Sequence, residues 1–296
     1  MLTPNHGPKF EVRPGFRLEE VALRDGLQRL APCPPTQIVQ LAKRIYQAGI
    51  HHIEVGSLVN PKIVPALAGT LEVMARLSAE QLPDLQMSVL IPRAKAFSSA
   101  AAAGVAKVAV AISQEEKFQE ENWHNTIQEG MAQLEQIYNL REQNFPSCRI
   151  KAYLMMAWSN DCPLIEDLSR LAFLRDIADE VCLADTAARA TPENFRSTLK
   201  TAATIIPLPQ LSLHLHGKPS VVLDLGRQAA EFGIRSFDTA LGGLGGCPFL
   251  DSPAANADTR LFNKMLQQFG PHQGGDIKDD DLQDAERLLR EMIGLP

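Results

Sequence analysis

Two hydrophobic spacings alternate along the chain. Compact apolar segments are followed by longer stretches in which apolar residues recur every three or four positions. The first pattern is typical of buried β-strands and the second of amphipathic helices. Strands are predicted at residues 16–22, 50–55, 87–91, 107–112, 149–156, 180–184, 210–216 and 235–241. Helices are predicted at residues 36–48, 60–77, 94–103, 126–141, 164–178, 192–205, 221–232, 254–269 and 281–292.

This order of elements favours a barrel of parallel strands. Strands that alternate with helices are joined by right-handed crossovers and therefore run parallel. About eight strand–helix units in 296 residues match the (β/α)8 TIM barrel. A doubly wound open sheet gives similar local patterns, so the number of units decides between the two. We expect one domain over residues 1–296, with a tail at 1–15 and a C-terminal helical extension at 254–296 that adds one or two helices to the barrel.

Composition restricts the class of partner. The chain is 45% hydrophobic and 22% charged, with a formal net charge of −6, which offers no general attraction to nucleic acid or to an anionic membrane. No apolar run is long enough to span a bilayer, and the N-terminal residues lack a secretory pattern. The five cysteines are scattered without a Cys-x-x-Cys pair. We therefore expect reduced thiols in a cytoplasmic protein with neither a nucleic acid nor a membrane partner.

A pair of histidines stands out in the seventh predicted strand. Residues 210–216 have the sequence Gln-Leu-Ser-Leu-His-Leu-His, in which leucines alternate with polar residues. Successive strand side chains point to opposite faces, so His214 and His216 share one face and can bind one ion. Such a pair suits a divalent cation when a carboxylate or amide completes the coordination shell. Without that support, the pair would be two polar residues on a half-buried strand.

Other reactive side chains fall at predicted strand ends, where TIM barrels place their active groups. Each also has a structural interpretation. Arg24 and Asp25 could hold a loop, Glu54 needs a buried partner such as Arg24, and Asp185 could cap the following segment. The convergence of these groups favours an active site more than any single member does. The candidates are Arg24, Asp25, Gln28, Glu54, Asp185, His214, His216 and Cys247.

The motifs that carry these residues resemble 3-hydroxy-3-methylglutaryl-CoA lyases. The resemblance extends in order from about residue 16 to residue 266, nearly the whole chain. The Arg-Asp-Gly-Leu-Gln and Gly-Leu-Gly-Gly-Cys-Pro motifs are specific to that branch of the TIM-barrel metallolyases, whereas His-x-His is shared more widely. The matching segments are 24–28, 53–54, 60–65, 183–186, 214–216 and 243–249.

The resemblance implies a set of roles. Asp25, His214, His216 and Asn256 would bind Mg²⁺ or Mn²⁺, which stabilises the alkoxide formed when a bond beside a tertiary alcohol breaks. A cation is needed beside the departing enolate, and the enolate must then be protonated. The implied assignments are Arg24 for the enolate, Asp185 for proton transfer, His214 as both ligand and catalytic residue, Cys247 for closure over the substrate, and Arg24, Gln28 and Glu54 for substrate contact.

The chain also departs from that family's pattern at the barrel mouth. Gly217 and Lys218 stand where the family has Asp-Thr, and residues 188–190 are Ala-Arg-Ala where the family has Gly-x-Gly. The segment 92–95 is Pro-Arg-Ala-Lys where the family usually has Pro-Asn-Leu-Lys. These changes remove a carboxylate and add cations, including Lys218 and Arg189, so they bear on the identity of the substrate.

We expect a metal-dependent carbon–carbon lyase acting on an acyl-CoA thioester. Its substrate would resemble 3-hydroxy-3-methylglutaryl-CoA, and its products would be acetyl-CoA and a 3-keto acid, acetoacetate. One alternative is a related metallolyase or aldolase for a more anionic acyl-CoA or hydroxy-acid substrate, which the added cations would favour. Another is a metal-binding barrel without turnover that serves as a binding protein. A homodimer is a possible assembly.

Overall fold

Eight parallel strands close into a barrel in chain order, which confirms the TIM-barrel prediction. The computed structural model describes residues 15–159, 168–246 and 255–295. Two further short strands in the described residues form a separate antiparallel ribbon outside the barrel. The barrel strands are β1 (Arg17–Glu20), β2 (His52–Ser57), β3 (Gln86–Leu90), β4 (Lys107–Ser113), β5 (Arg149–Met155), β6 (Glu180–Ala184), β7 (Leu211–His214) and β9 (Ser236–Thr239), and the ribbon strands are β8 (His216–Gly217) and β10 (Ala255–Asn256).

Helices surround the barrel. Helix α10 packs against α1 and α9 packs against α8, so the C-terminal helices complete the outer ring. The helices are α1 (Pro35–Gln47), α2 (Thr70–Ala79), α3 (Phe97–Ala102), α4 (Glu116–Trp123), α5 (Ile127–Asn144), α6 (Leu168–Ile177), α7 (Pro192–Ala203), α8 (Pro219–Phe232), α9 (Thr259–Leu266) and α10 (Asp279–Met292).

Two helix predictions were inaccurate, and one helix was not predicted at all. The predicted helix at 60–77 is a turn followed by a 3-10 segment, Pro65–Leu67, and α2 begins only at Thr70, because prolines disfavour a continuous helix there. The predicted helix at 254–269 is shorter, since α9 begins after the Asp258 cap. Helix α4 was not predicted, because its segment is strongly polar. The starts of the predicted helices at 164–178 and 254–269 lie outside the described residues.

The strands separate an apolar outer surface from a charged interior. Ile53 on β2 and Val108 on β4 join the main apolar core with Leu41 and Ile45 of α1. Alternate strand residues point inward and form a layer of three basic and three acidic side chains. Lys151 shows the pattern, since its ammonium contacts Glu19 at 2.9 Å and also Asp238. The interior charges are Arg17, Glu19, Lys107, Lys151, Glu180 and Asp238.

The histidine segment differs from the prediction of one strand through residue 216. Barrel strand β7 ends at His214, and His216 belongs to β8, which pairs with β10. The register places His216 directly opposite Asn256. The short ribbon therefore brings two distant segments together above the barrel mouth, an arrangement that hydrophobic periodicity does not indicate.

Candidate active site

The loop after β1 forms one wall of the site. Residues Ala22–Gly26 form a π-helical turn, a conformation often found at functional sites. Arg24 donates from Nε to Glu54 Oε2 at 2.6 Å and from Nη1 to Asp25 Oδ1 at 2.6 Å. All three side chains are buried. Burial alone would raise the pKa of Asp25, but Arg24 and His216 outweigh it and hold that pKa well below its usual range.

Four predicted metal ligands lie together at the end of this wall. His214 Nε2 and His216 Nε2 are 3.0 Å apart, and His216 Nε2 is 3.8 Å from Asp25 Oδ2. Asn256 donates from Nδ2 to the same carboxylate oxygen at 2.6 Å. The ligand atoms of Asp25, His214 and His216 lie within 4.8 Å of one another. Two imidazole nitrogens, a carboxylate and an amide fit a divalent cation with oxygen and nitrogen ligands.

Asp238 orients one of the histidines. His214 Nδ1 lies 3.1 Å from Asp238 Oδ2, and the same oxygen accepts a hydrogen bond from the Tyr153 hydroxyl at 2.7 Å. A proton on Nδ1 satisfies this contact and leaves the Nε2 lone pair directed at the cluster. Sequence reasoning missed Asp238 and Tyr153. Both lie on predicted strands at inward positions, so strand alternation could have identified them.

A second group of carboxylates does not offer a comparable ion site. Glu19, Glu180 and Asp238 also approach one another within 4.8 Å. The ammonium groups of Lys107 and Lys151 lie among them and supply the opposite charge directly. The cluster containing His214 therefore fits a metal better than the interior carboxylates do.

The glycine-rich loop after β9, residues 242–246, lies against the same cluster of Asp25, His214 and His216. Gly246 donates its backbone N–H to Asp25 Oδ2 at 3.2 Å. Gly245 has a φ of +104°, and a Cβ there would lie 2.3 Å from the Asn256 amide nitrogen and 2.6 Å from Asp25 Oδ2. Glycine is therefore required at position 245 by both conformation and close approach. The predicted catalytic Cys247 follows immediately but lies outside the described residues.

Asp185 lies at the end of β6, near the histidine cluster. Its carboxylate accepts hydrogen bonds from the backbone N–H groups of Arg189 at 2.8 Å and Ala190 at 3.1 Å. Burial raises the pKa of Asp185 to about 6, although the two backbone hydrogen bonds oppose the shift. A carboxyl group with that pKa can hold or release a proton near neutral pH. Asp185 can therefore both cap the segment that follows β6 and take part in proton transfer.

The remaining predicted residues lie around these groups. Gln28 donates from Nε2 to Asp25 Oδ1 at 2.9 Å, so it supports the carboxylate. Arg189 donates to Glu115 Oε1 at 3.1 Å, which offsets its charge at the mouth. Lys218 is exposed at the start of α8. Of the two cations added at the mouth, Lys218 is therefore the more accessible to an anionic ligand.

The opposite side of the mouth is apolar. A small buried cluster there consists of Leu90, Ala109, Tyr153, Cys182 and Ala184. Val59, Ala111 and Trp123 are partly buried and pack against it. The Tyr153 ring also lies 5.8 Å from the His214 ring and 5.6 Å from the Arg24 guanidinium carbon. The mouth therefore combines a polar wall and an apolar wall that meet at Tyr153.

Within the described residues, no helix is long and apolar enough to cross a membrane.

Comparisons with known proteins extend over nearly the whole chain. It is 30% identical over 271 residues to the cytoplasmic 3-hydroxy-3-methylglutaryl-CoA lyase of Rattus norvegicus, with 88% of this chain and 77% of that protein covered. It is also 30% identical over 277 residues to the (R)-citramalyl-CoA lyase of Chloroflexus aurantiacus, with 87% and 85% covered. The solved structure of the HMG-CoA lyase from Brucella melitensis is similar with a TM-score of 0.85 and 32% identity, covering 95% of this chain and 99% of that one.

The family model described as HMGL-like matches residues 16–288, which include every described residue of the histidine cluster and its surrounding walls. The chain therefore belongs to the HMGL-like family and is a carbon–carbon lyase.

Proposed function

We propose that this lyase cleaves a 3-hydroxy-3-methylglutaryl-CoA-like thioester to acetyl-CoA and acetoacetate. The observation that carries the proposal is the cluster of Asp25, His214 and His216 beside the Arg24 guanidinium. Relatives named for CoA thioester substrates support this substrate class.

The cluster would hold Mg²⁺ or Mn²⁺. Asp25, His214 and His216 would supply ligand atoms, the amide oxygen of Asn256 would be the fourth, and Asp238 would favour the His214 tautomer that leaves Nε2 available. When bound, such an ion supplies Lewis-acid stabilisation of the substrate hydroxyl as that group loses its proton.

In the reaction, the substrate hydroxyl loses a proton, the bond between its carbon and the thioester α-carbon breaks, and a ketone and an enolate form. Arg24 is fixed by Glu54 and Asp25, so its positive charge is already in place where the enolate oxygen develops. The α-carbon must then gain a proton to give acetyl-CoA. Asp185 can take the hydroxyl proton as a carboxylate and return it to the α-carbon, because its buried carboxyl group has a pKa of about 6. Closure by Cys247 stays a prediction.

A second candidate is a lyase for a different acyl-CoA, such as a citramalyl-CoA-like thioester. One relative is named as a citramalyl-CoA lyase, and a citramalyl group has one carboxylate, as the 3-hydroxy-3-methylglutaryl group does. The exposed Lys218 at the mouth would instead favour an acyl-CoA with an additional negative group. The ion pair of Arg189 with Glu115 makes Arg189 a weaker contributor to this preference. An exposed cation of this kind contributes only about 0–1 kcal/mol, which biases selection without changing the chemistry.

The test is a turnover assay over a panel of 3-hydroxyacyl-CoA thioesters with Mg²⁺ or Mn²⁺, with products identified by mass spectrometry. We expect acetyl-CoA and acetoacetate from the 3-hydroxy-3-methylglutaryl thioester. Preferential cleavage of the citramalyl thioester would establish the second candidate. An absence of cleavage across the panel would contradict both. A cytoplasmic location and a homodimer stay predictions.

A further inference from the structure

Trp123 occupies a fixed position on the apolar wall of the mouth. It is the last residue of α4, and His124 follows in a left-handed conformation with φ of 52° that ends the helix. Gln119 of the same helix binds the end of β4, where its Oε1 accepts the Ser113 N–H at 2.8 Å. The Arg93 guanidinium also donates to the Trp123 carbonyl at 3.5 Å. The indole is therefore held against the barrel mouth by its helix.

Contacts connect Trp123 to the reactive groups. The indole packs against the cluster that contains Tyr153, and the Tyr153 ring is 5.8 Å from the His214 ring. A substrate held by the histidine cluster would therefore direct its apolar substituent toward this wall, because the other walls carry charged and polar side chains.

A cleft lies behind Trp123, between strands β3 and β4 and helices α4 and α5. Trp123 and Ala111 line both this cleft and the apolar wall of the mouth. The cleft is narrow and has room for about one water molecule, so most of the space that a longer substituent could enter after removal of the indole is that of the indole itself.

The polar groups around the cleft are already hydrogen-bonded within the protein. Gln119 donates from Nε2 to Asn125 Oδ1 at 2.7 Å, and Gln133 Oε1 accepts the Ala94 N–H at 3.1 Å. An alkyl chain beside these amides would leave both hydrogen bonds intact. The apolar part of the lining includes Ile91, Val110, Leu134 and Ile137.

We propose that Trp123 is a specificity-determining residue that limits the substituent on the hydroxyl-bearing carbon of the substrate to a short alkyl group. The inference rests on the proposed function, because it assumes a 3-substituted glutaryl-type thioester in the mouth. The indole separates the mouth from the apolar cleft, so a methyl group fits in front of it and a longer chain does not. Replacement of the indole by a small side chain would join the two spaces.

The experiment compares the binding of two thioesters that lack the 3-hydroxyl and cannot be cleaved, 3-methylglutaryl-CoA and 3-butylglutaryl-CoA. Dissociation constants are measured by calorimetry with Mg²⁺ present, for the wild type and for Trp123→Ala. We expect the wild type to favour the methyl compound and Trp123→Ala to shift the ratio of Kd values at least tenfold toward the butyl compound. Each methylene transferred from water to an apolar space contributes about fourfold in affinity.

Leu134→Ala is the matched control, because it enlarges the cleft from the far side and leaves the indole in place. Its Kd ratio should stay within about twofold of the wild-type ratio. The second tryptophan, Trp158, is buried and stacks on Phe195, so its fluorescence reports whether Trp123→Ala is folded. Trp123→Phe should keep the preference for methyl.

An unchanged ratio in folded Trp123→Ala would overturn the inference, as would an equal shift in Leu134→Ala. Failure of both compounds to bind either protein would also contradict it. Because the two compounds are not cleaved, the ratio is independent of turnover. A shifted ratio without cleavage of any hydroxylated thioester would support the role of Trp123 and contradict the proposed reaction.

Discussion

Arg24 lies between two carboxylates, Glu54 and Asp25, and is buried with them. If its main role is to stabilise the enolate, Arg24→Met should lower kcat by a factor equivalent to about 2.7–4 kcal/mol, with a much smaller effect on substrate binding. Steady-state kinetics and a thermal melt of the same preparation distinguish this catalytic role from a purely structural ion pair with Glu54 and Asp25. Lost thermal stability with modest kinetic change in the folded fraction would indicate a purely structural ion pair.

Asp238 should control metal affinity through His214. Asp238→Asn weakens the contact that holds the proton on His214 Nδ1, so the affinity for Mn²⁺ should fall about 10- to 100-fold. Calorimetric titration measures this change directly. Glu19→Gln is the control, because Glu19 shares the Lys151 ammonium with Asp238 but is not a partner of His214. An equal loss of affinity in both variants would assign the effect to the interior charge network.

Three elements around the site meet at Glu20. Its Oε1 accepts the backbone N–H groups of Ala22 at 2.9 Å and Leu241 at 3.0 Å, and its Oε2 accepts the Thr259 hydroxyl at 2.6 Å. Glu20 thus connects the π-helical turn that carries Asp25, the start of the glycine-rich loop and the N-terminus of α9. Burial raises the pKa of Glu20 to about 7, against these hydrogen bonds.

This raised pKa predicts a pH dependence of stability. The folded protein binds a proton at Glu20 up to about pH 7, whereas the ordinary pKa is 4.5. Stability from this group is therefore fully present below pH 4.5 and is lost as the pH rises to about 7, by about 3 kcal/mol in total. Glu20→Gln keeps a neutral side chain at every pH. The unfolding free energy of the variant should exceed that of the wild type at pH 8, and the difference should shrink toward pH 5.

Chemical denaturation at pH 5 and pH 8 provides the measurement. Glu193→Gln is a control, since Glu193 is an exposed glutamate at the start of α7 and should leave the pH dependence as in the wild type. A difference between Glu20→Gln and the wild type that did not change with pH would show that Glu20 is not protonated in the folded protein.

The sequence predicted the barrel because its signal is local and repeated. Each predicted strand is a compact apolar segment, and most predicted helices have apolar residues every three or four positions. A single segment therefore displays its own signal. The Arg24–Glu54 pair was also foreseeable, since a buried carboxylate requires a partner. The ribbon that places Asn256 opposite His216 was not, because it joins segments 40 residues apart through only two residues on each side. Asn256 was assigned as a ligand only through the family resemblance.

At the scale of the whole molecule, the barrel interior is held by compensating charges. Lys151 is fully buried and contacts both Glu19 and Asp238. Lys151→Met would leave the buried Asp238 without its cation, whereas Glu19 would keep Lys107, so the unfolding free energy should fall by about 3–5 kcal/mol. Denaturant titration measures the loss. Lys43→Met removes an ion pair with Glu80 of 2.6 Å at the surface and should cost less than about 1 kcal/mol. Equal losses in the two variants would contradict this account of the interior.

The central claim is that a divalent metal held by Asp25, His214 and His216 makes cleavage of an acyl-CoA thioester possible. The most direct measurement is turnover of 3-hydroxy-3-methylglutaryl-CoA by protein treated with excess chelator and then supplied with Mg²⁺ or Mn²⁺, with His214→Ala in parallel. We expect chelation to abolish activity, either ion to restore it, and His214→Ala to lose metal affinity and rate together. Full activity in excess chelator, or full activity of His214→Ala, would contradict the claim.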